Sequence, residues 1–555
     1  MHGSVAGMGG PAPTADGADA GVPKTRPSWD ADPAAAPVAT AGLLVDAARG
    51  RTAIDRSVFA SEVRVKAVAC AGRDVQGGMR ALGGRLLTLP KVKNVVVDAR
   101  SQGGGGGRLL LLDEEASRVD AEGGWAGRET LGEEGKVWVG AREVVDHVVE
   151  LGYGHLGTDV VLRRILPAGV EVPGSFEQVG HIAHLNLRAD QHPYRHAIAE
   201  AILDKNAPRL RCVVNKVGSI NATFRTFDME VLAGEGVGDV VRVEADGQVG
   251  GRALETELVE YQCRFKLDYA RVYWNSRLEA EHRRLIDAYF SRGSVVVDMM
   301  AGIGPFAVPA AAVRGCEVYA NDLNPHAVKW LRVNVERNVD KKRRVAVTEG
   351  ARKGRGKNKG GGDGAQAKQQ REQQQQGDRQ QSEGSASKVG AVGRVHVYNM
   401  CGRQFVRGLL LGEGETERPP AEYARVSGGS DAWPVEPLRS FDHAVMNLPA
   451  SAIEFLDTFR GLFREAVALG RWDPARPLPR IHCYCFAPHN ATPEDVMKMA
   501  SERLGSPGCL VAADGVAVHD VRDVSPSKHM FCISFPLPRD VAFAEDVSAA
   551  KRRKT

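Results

Sequence analysis

The sequence predicts an α/β fold whose largest domain is built on a doubly wound, mostly parallel sheet. An apolar run of three valines at 295–297 ends in Asp298 and is followed by the glycine-rich turn 301–304. A second short apolar run ends in Asp322, 24 residues after Asp298. Further apolar runs, which alternate with helical patterns, lie at residues 394–398, 441–447 and 481–486. Because strands that alternate with helices are typical of parallel sheets, these runs predict one continuous sheet.

Length and composition predict a soluble protein of several domains. At 555 residues the chain is too long for one hydrophobic core, so we expect two to four domains. The formal charge is only +4, from 73 basic and 69 acidic residues, so any nucleic-acid binding has to come from clustered charge. No apolar run approaches the roughly 20 residues that span a bilayer, and we expect no membrane partner.

The nine cysteines are scattered along the chain. The one close pair, Cys483 and Cys485, is separated by a single residue, which is the wrong spacing for a CxxC zinc or redox pair. We therefore expect reduced intracellular thiols and no metal site.

Composition also sets the domain boundaries. Residues 1–51 hold few large apolar side chains, so we expect this segment to be disordered. The low-complexity stretch 341–392 cannot offset its ordering entropy by burial, and it predicts a disordered insertion within a domain. The other segments are an N-terminal module at 52–174, a middle α+β domain at 175–275, a C-terminal α/β domain at 276–540 and a basic tail at 541–555.

Periodicity predicts the elements of the last two domains. Period-two alternation predicts strands with one buried face at 181–187, 213–216 and 261–268. Helical spacing predicts helices at 194–203, 277–290, 325–338 and 452–466. The last of these helices carries an apolar stripe that favours core packing over a cofactor contact, with Ile453, Leu456, Phe459 and Phe463.

In an open α/β sheet, ligands bind beyond the carboxyl ends of the strands. The strand ends therefore predict one ligand-binding rim that contains Asp298, Gly302, Asp322, Leu323, Cys401, Gly402 and Asn447. An acid at the end of the second strand, as Asp322 is, commonly holds a ribose diol through charge-assisted hydrogen bonds. Pro305 removes an amide donor that a pyrophosphate would need, so S-adenosyl-L-methionine fits better than a dinucleotide. A structural turn without a ligand is the alternative interpretation.

Two further segments abut this rim. Asn447-Leu448-Pro449 follows an apolar strand, at the place where amino-methyltransferases carry a short Asn/Asp-Pro-Pro-aromatic signature. Pro449 fixes φ, and we expect the carbonyl before it to be free to face a substrate. Arg277 and His282 lie on the helix just before the first strand. For Asn447-Leu448-Pro449 the alternative is a plain turn between a strand and a helix. For Arg277 and His282 it is a solvated helix face without a functional role.

These segments resemble the archaeal and eukaryal tRNA (guanine-37-N1)-methyltransferases over roughly residues 52–536. The motifs that carry the resemblance are HIAHLNLR, VNK, FDMEVL, VYWNSR, DMMAGIGPF and MNLP, at 181–188, 214–216, 227–232, 272–277, 298–306 and 446–449. The resemblance implies a class I methyltransferase domain with a Rossmann-like sheet, a middle α+β domain and an N-terminal tRNA-docking module. It implies methyl transfer from S-adenosyl-L-methionine to N1 of guanosine 37, which supports reading-frame maintenance and the first step of wybutosine synthesis in phenylalanine tRNA.

The resemblance also implies roles for residues and partners. It makes Arg277 the catalytic cation and places Asn447 and Pro449 beside the guanine that is methylated. It places cofactor contacts at His282, Asp322, Leu323, Cys401, Gly402 and Asn447. It implies a monomer that contacts the anticodon loop and elbow of tRNA, in the cytoplasm, nucleus and mitochondrial matrix. One departure is Cys401: relatives often have Asp at this position, and a thiol is a poor acceptor for the adenine amino group.

Two other functions remain open at this point. The wybutosine aminocarboxypropyl transferase shares the fold and the cofactor but transfers a different group, and its strand-four signature differs from Asn447-Leu448-Pro449. A non-catalytic tRNA-binding protein could keep the fold, although Arg277, Asp322 and the glycines are all present.

Overall fold

The computed structural model describes eight stretches of the chain, residues 43–46, 51–101, 106–217, 228–243, 249–250, 254–342, 392–412 and 438–545. These stretches belong to two units. The N-terminal unit contains residues up to Val172 together with Asp190–Lys205. The C-terminal unit contains Pro173–Ala189 together with the residues from Asn206 onward. The predicted division into three folded domains stays a prediction.

The segments predicted to be disordered, 1–51 and 341–392, fall mainly outside the described residues, as does most of the tail 541–555. Within the first segment, strand β1 (Leu43–Asp46) pairs antiparallel with strand β2 (Arg51–Ile54). These four residues thus take part in a two-stranded ladder, and the disorder expected for residues 1–51 as a whole stays a prediction.

The N-terminal unit is built on a four-stranded antiparallel sheet. Its strands are β3 (Ser61–Ala71), β4 (Val95–Val97), β5 (Gly107–Leu111) and β6 (Val144–Leu151), in the order β4-β5-β3-β6. Its helices are α1 (Val75–Leu82), α2 (Glu133–Gly140) and α3 (Thr158–Ile165). Apolar side chains are buried on both faces of this sheet, since Ala67 and Val68 belong to different core clusters.

Helix α4 (Arg195–Asn206) confirms the helix predicted at 194–203, and all but its last residue belong to the N-terminal unit. The guanidinium of Arg56 donates to Glu200 at 3.0 Å and to Asp204 at 2.7 Å. The hydroxyl of Tyr153 also donates to Asp204, at 3.0 Å. These contacts fix the helix to this unit.

The C-terminal unit begins with a six-stranded sheet. Its strands are β7 (Glu177–Val179), β8 (Ile182–Leu185), β9 (Cys212–Val217), β10 (Asp228–Gly234), β11 (Val240–Val243) and β12 (Val249–Gly250), which follow one another in the sheet. Only the pair β8–β9 is parallel. The strands predicted at 181–187 and 213–216 are confirmed by β8 and β9.

A β-hairpin comes next, formed by β13 (Glu255–Glu260) and β14 (Cys263–Asp268). The strand predicted at 261–268 starts two residues late because Tyr261 and Gln262 form the turn. Their φ angles are 43° and 63°, as two-residue hairpin turns of this hand require.

The main sheet has seven strands and confirms the predicted doubly wound, mostly parallel topology. They are β15 (Val295–Asp298), β16 (Glu317–Asn321), β17 (Arg394–Tyr398), β18 (His443–Met446), β19 (Arg480–Pro488), β20 (Ala517–Ser525) and β21 (Lys528–Pro536). The order is β17-β16-β15-β18-β19-β21-β20. Strands β15 to β19 are parallel, whereas β21 runs antiparallel to β19 and to β20.

Helices cover both faces of this sheet. They are α5 (Glu279–Tyr289), α6 (Ala307–Ala312), α7 (Pro325–Val335), α8 (Gly402–Leu411), α9 (Leu462–Ala468), α10 (Pro493–Arg503) and α11 (Arg539–Ala542). Successive residues of β15 point to opposite faces. Val296 accordingly packs in the core that contains Leu285 of α5, and Val297 in the core that contains Phe405 of α8. None of the helices in the described ranges is long and apolar enough to cross a membrane.

The helix predicted at 452–466 is broken. A 3₁₀ helix, Ala452–Phe459, precedes α9, and between them Gly461 adopts a left-handed φ of 72°. The predicted apolar stripe is nevertheless confirmed as core, because Ile453, Leu456, Phe459 and Phe463 are all buried in one cluster. All nine cysteines lie within the described residues and are free thiols.

Candidate active site

A pocket in the C-terminal unit lies beyond the carboxyl ends of β15 to β18. This is where the strand order reverses, between β15 and β18. Seven of the residues predicted from sequence line it, namely His282, Gly302, Asp322, Leu323, Cys401, Gly402 and Asn447. The other three predicted residues, Arg277, Asp298 and Pro449, are not among its lining residues. The rest of the wall is largely apolar, with Trp274, Leu278, Met299, Met300 and Phe455.

The glycine turn and Asp322 are joined directly. The amide of Gly302 donates to Asp322 Oδ2 at 2.7 Å, and the amide of Asn324 donates to Oδ1 at 2.8 Å. Gly302 has a left-handed φ of 56°, which glycine adopts without strain. A Cβ on Gly304, where φ is 100°, would come within 2.7 Å of Leu331 and Val308. The turn therefore needs glycine for its backbone conformation and for close packing.

Asp322 remains half-buried at the pocket wall. Loss of solvent raises the pKa of its carboxyl to about 6, although hydrogen bonds from the amides of Asn324 and Gly302 oppose this shift. A carboxylate has about four lone-pair positions, so the two amide contacts leave acceptor capacity for a ligand diol.

Asp298, at the end of β15, is fully buried and does not line the pocket. No side chain among the described residues donates to its carboxyl oxygens. Burial and the nearby charge of Asp322 raise its pKa to about 8, although a hydrogen bond from the backbone amide of Met300 opposes this shift. Asp298 is thus mostly uncharged at neutral pH, which fits a structural position better than a direct ligand contact.

Two asparagines hold the strand ends together: Asn399, which lies at a strand end predicted to line the rim, and Asn321, which the sequence analysis did not single out. Asn321, fully buried at the end of β16, donates to the carbonyls of Met299 at 3.1 Å and Met400 at 2.9 Å. The side-chain amide of Asn399 donates to the carbonyls of Asp322 at 2.8 Å and Leu323 at 3.1 Å. The sequence feature that indicates such residues is a polar side chain at the end of an otherwise apolar strand.

His282 is held in the pocket wall by Glu260, another residue that sequence reasoning missed. Its Nδ1 lies 2.5 Å from Glu260 Oε1, and its ring packs edge-on against Phe306 with centroids 4.8 Å apart. Glu260 ends strand β13, 22 positions before His282, and no sequence pattern links the two.

The Asn447-Leu448-Pro449 segment differs from the prediction in one respect. The Leu448 carbonyl, expected to be free, accepts hydrogen bonds from the amides of Ser451 at 2.8 Å and Ala452 at 2.6 Å. The reason is that the segment starts the 3₁₀ helix at Ala452, whose first amides need an acceptor. The carbonyl of Pro449, which is buried, accepts from Phe486. Asn447 Oδ1, in contrast, is buried without a partner among the described residues.

Arg277 lies in the short 3₁₀ helix Ser276–Leu278, which is capped by the side chain of Asn275. Its neighbours Asn275 and Leu278 line the pocket, while Arg277 itself is exposed. Within the described part of the chain, its guanidinium makes no ion pair. A cation that is not engaged in an ion pair therefore sits beside the pocket mouth.

These features fit S-adenosyl-L-methionine. The half-buried Asp322 suits the ribose diol, the apolar wall suits the adenine ring and the methylene groups of the methionine chain, and the buried Asn447 Oδ1 and Trp274 Nε1 lack hydrogen-bond partners in the described residues. The fold and this pocket define a class I methyltransferase.

Two family models match the sequence. The TRM5/TYW2 methyltransferase domain matches residues 256–359, which include the glycine turn and Asp322, and the TYW2 N-terminal domain matches residues 159–239. Among curated relatives, the tRNA (guanine(37)-N(1))-methyltransferase of Phytophthora infestans is 33% identical over 502 residues, which cover 90% of this chain and 95% of that protein. The enzyme of the same name from Danio rerio is 34% identical over 89% of this chain and 83% of its own length.

A third relative of the same name, from Batrachochytrium dendrobatidis, is 35% identical over 74% of both chains. This chain belongs to the tRNA (guanine(37)-N(1))-methyltransferase family, as the sequence motifs predict. Two solved structures also align, Trm5b from Pyrococcus abyssi and the complex of aTrm5 with tRNALeu, with TM-scores of 0.43 and 0.46 and identities of 21% and 16%. They cover 85% and 84% of this chain and 99% and 98% of their own.

Proposed function

We propose that this chain transfers a methyl group from S-adenosyl-L-methionine to N1 of guanosine 37 in tRNA. The observation that carries the proposal is the convergence of Gly302, Asp322, Gly402 and Asn447 on one pocket. The curated relatives that match this chain over most of their own length are named for this activity. The cofactor supplies an electrophilic methyl group, and the residues of the chain bind and orient the two reactants.

Asp322 holds the ribose of the cofactor, with the lone pairs that the amides of Gly302 and Asn324 leave available. His282, oriented by Glu260, and the backbone around Cys401 and Gly402 complete this half of the site. The carbonyl of Cys401 accepts a hydrogen bond from the amide of Phe405 in helix α8. Contacts to adenine at this position therefore come from main-chain amides or from the apolar wall.

The guanine has to leave its stack, because N1 lies on the Watson–Crick edge and carries a proton. As N1 takes the methyl group, whose bond to sulfur breaks with its electron pair left on sulfur, N1 releases this proton to solvent, and negative charge develops on O6 during the transfer. Arg277 donates a hydrogen bond to O6, and one preorganised donor of this kind lowers a barrier by about 3 kcal/mol. The unpartnered Asn447 Oδ1 accepts a hydrogen bond from the base edge and sets its register.

The direct test uses the full chain, an unmodified tRNA transcript with G37 and S-adenosyl-L-methionine labelled in its methyl group. Nucleoside analysis should find labelled 1-methylguanosine, and a transcript with adenosine at position 37 should yield none. An aminocarboxypropyl-modified nucleoside would instead identify the sister transferase. Cofactor binding without turnover on any transcript would identify a non-catalytic binding protein.

We further propose that the enzyme is a monomer and that the N-terminal unit docks on the tRNA elbow while the C-terminal unit holds the anticodon loop. The residues that line the pocket all belong to the C-terminal unit, so a second copy of the chain is not needed to complete this site. Light scattering of the tRNA complex measures its stoichiometry, and footprinting of the complex tests the elbow contact by the protection of elbow nucleotides.

We also propose that the protein acts in the cytoplasm, the nucleus and the mitochondrial matrix. The basic cluster at 551–554 supports a nuclear address. Fluorescent fusions of the full chain, with and without residues 551–554 and with and without residues 1–42, test the nuclear and the mitochondrial assignment respectively.

A further inference from the structure

Three metal-binding side chains meet away from the cofactor pocket. His489 follows the last residue of β19, Asp523 lies in β20 and His529 lies in β21. Their ligand atoms all lie within 4.8 Å of one another. Asp523 Oδ1 is 2.8 Å from His529 Nδ1 and 3.5 Å from His489 Nε2. Two imidazoles and one carboxylate thus face a common point.

The ligand atoms are close enough to share one tetrahedral metal ion after small side-chain rotations. Zinc binds imidazole nitrogen and carboxylate oxygen at about 2.0–2.2 Å, which places two of its ligands about 3.4 Å apart. The separations of Asp523 Oδ1 from the two histidines, 2.8 and 3.5 Å, lie on either side of this value, and the two histidine nitrogens lie within 4.8 Å of each other. His489 and Asp523 are 60% and 68% exposed, so both side chains can adjust by rotation without disturbing the core. Three protein ligands leave a fourth position for water.

The ring nitrogen of His529 that faces away from the cluster contacts a carboxylate, as in most metal-bound histidines. Its Nε2 makes a close hydrogen bond with Asp520 Oδ1, while Nδ1 faces Asp523. Metal-bound imidazoles usually donate their other N–H to a carboxylate, which fixes the ring and its tautomer. A neutral imidazole that donates from Nε2 to Asp520 turns the lone pair of Nδ1 towards the carboxylate of Asp523. That arrangement is repulsive unless a proton or a metal ion lies between them.

A backbone irregularity builds the cluster. In a regular strand, residues 520 and 523 would point to opposite faces, because they are an odd number of positions apart. The register between β20 and β21 shifts between Asp520 and Arg522, and again after Asp523. The first bulge brings Asp520 and Asp523 to the same side, where both contact His529. Bulges that re-aim side chains in this way are frequent at functional sites.

We propose that His489, Asp523 and His529 bind one Zn²⁺ ion, with Asp520 as the outer partner of His529. The ion ties the segment after β19 to the β20–β21 hairpin and neutralises two neighbouring carboxylates. It lies at the carboxyl edge of β19, the same edge of the sheet as the cofactor pocket. The sequence alone gives no sign of this site, because its three ligands are 34 and 6 positions apart.

The test is calorimetric titration of the full-length, chelator-treated protein with ZnCl₂, and with MgCl₂ in parallel. Zn²⁺ and not Mg²⁺ should bind at one saturable site. His489→Gln and Asp523→Asn, both at exposed positions, should abolish this site, and Asp520→Asn should weaken binding by about 10- to 100-fold. His147→Gln, which removes a histidine from the N-terminal unit, is the matched control and should bind like the parent.

Three results would overturn the proposal. These are no Zn²⁺ uptake by the parent, unchanged uptake by both His489→Gln and Asp523→Asn, or a thiolate charge-transfer band on loading with Co²⁺. The last would place the metal on cysteine. None of the substituted residues lines the cofactor pocket, so the outcome is independent of the methyl-transfer assay.

Discussion

Glu260 Oε1 lies 2.5 Å from Nδ1 of His282, and only 3% of either residue is exposed. The contact joins the end of strand β13 to helix α5 and fixes the ring of a residue that lines the cofactor pocket. Because Nδ1 faces Glu260, Nε2 is the ring nitrogen left for other contacts. We therefore propose that Glu260 is a positioning residue, which acts on the cofactor through His282.

Glu260→Gln should weaken binding of S-adenosyl-L-methionine by about 10-fold, since one charge-assisted hydrogen bond contributes roughly 1.5–3 kcal/mol and part of it is retained by the amide. The single-turnover rate at saturating cofactor should stay within a few-fold of the parent. Glu255→Gln, on the exposed side of the same hairpin, is the control and should change neither quantity. A rate defect that saturating cofactor fails to correct would contradict the positioning role.

The sequence predicts the strand ends well because each is a local pattern, an apolar run that ends in an acid, an asparagine or a glycine. The Glu260–His282 contact could not be predicted, because it depends on how the β13–β14 hairpin packs against α5. Asn321 was missed for a similar reason: its contacts with Met299 and Met400 exist only once three parallel strands are aligned. At residues 452–466 the apolar stripe was predicted correctly, but the break in the helix at Gly461 was not.

Binding of a ribose diol should depend on the charge of Asp322. Its pKa is raised to about 6, so lowering the pH through 6 adds a proton and removes the charged acceptor. Adenosine is a suitable probe, because it carries the diol without an amino group that titrates in this range. Its affinity should fall by about 10-fold from pH 7.5 to pH 5 if only the ionised form binds. A flat profile would show that Asp322 does not hold the ribose.

Asp322→Asn tests the same contact by substitution. The variant should bind adenosine about 10- to 100-fold more weakly than the parent at pH 7.5, and its affinity should no longer depend on pH. Replacing adenosine by 2′-deoxyadenosine should cost the parent much more than the variant. Equal losses in the two proteins would place the diol elsewhere.

Asp298 should destabilise the fold at neutral and higher pH. Its pKa is about 8 in the folded protein and about 3.9 in an unfolded chain. Between these values the folded state binds more protons, so stability falls as the pH rises, by up to about 1.4 kcal/mol per pH unit. Asp298→Asn removes this dependence, and its gain in thermal unfolding midpoint over the parent should grow from pH 5 to pH 8.

The exposed Asp159→Asn serves as the control for this series and should leave the pH profile unchanged. Adenosine affinity at pH 7.5 should fall much less in Asp298→Asn than in Asp322→Asn, because Asp298 does not line the pocket. A gain that stays constant from pH 5 to pH 8 would show that Asp298 is ionised in the folded protein.

Arg277 is exposed beside the pocket mouth and makes no ion pair with any described residue, so its removal should leave the fold and cofactor affinity nearly intact. Arg277→Ala should lower the single-turnover methylation rate by about 100-fold, the effect of losing one donor to a developing oxyanion. Arg277→Lys should recover only part of the rate, since a lysine lacks the planar fork of donors. Arg283→Ala, at an exposed position on helix α5, is the matched control. A rate for Arg277→Ala within a few-fold of the parent would remove Arg277 from the chemical step and leave Asn447 as the residue nearest the base.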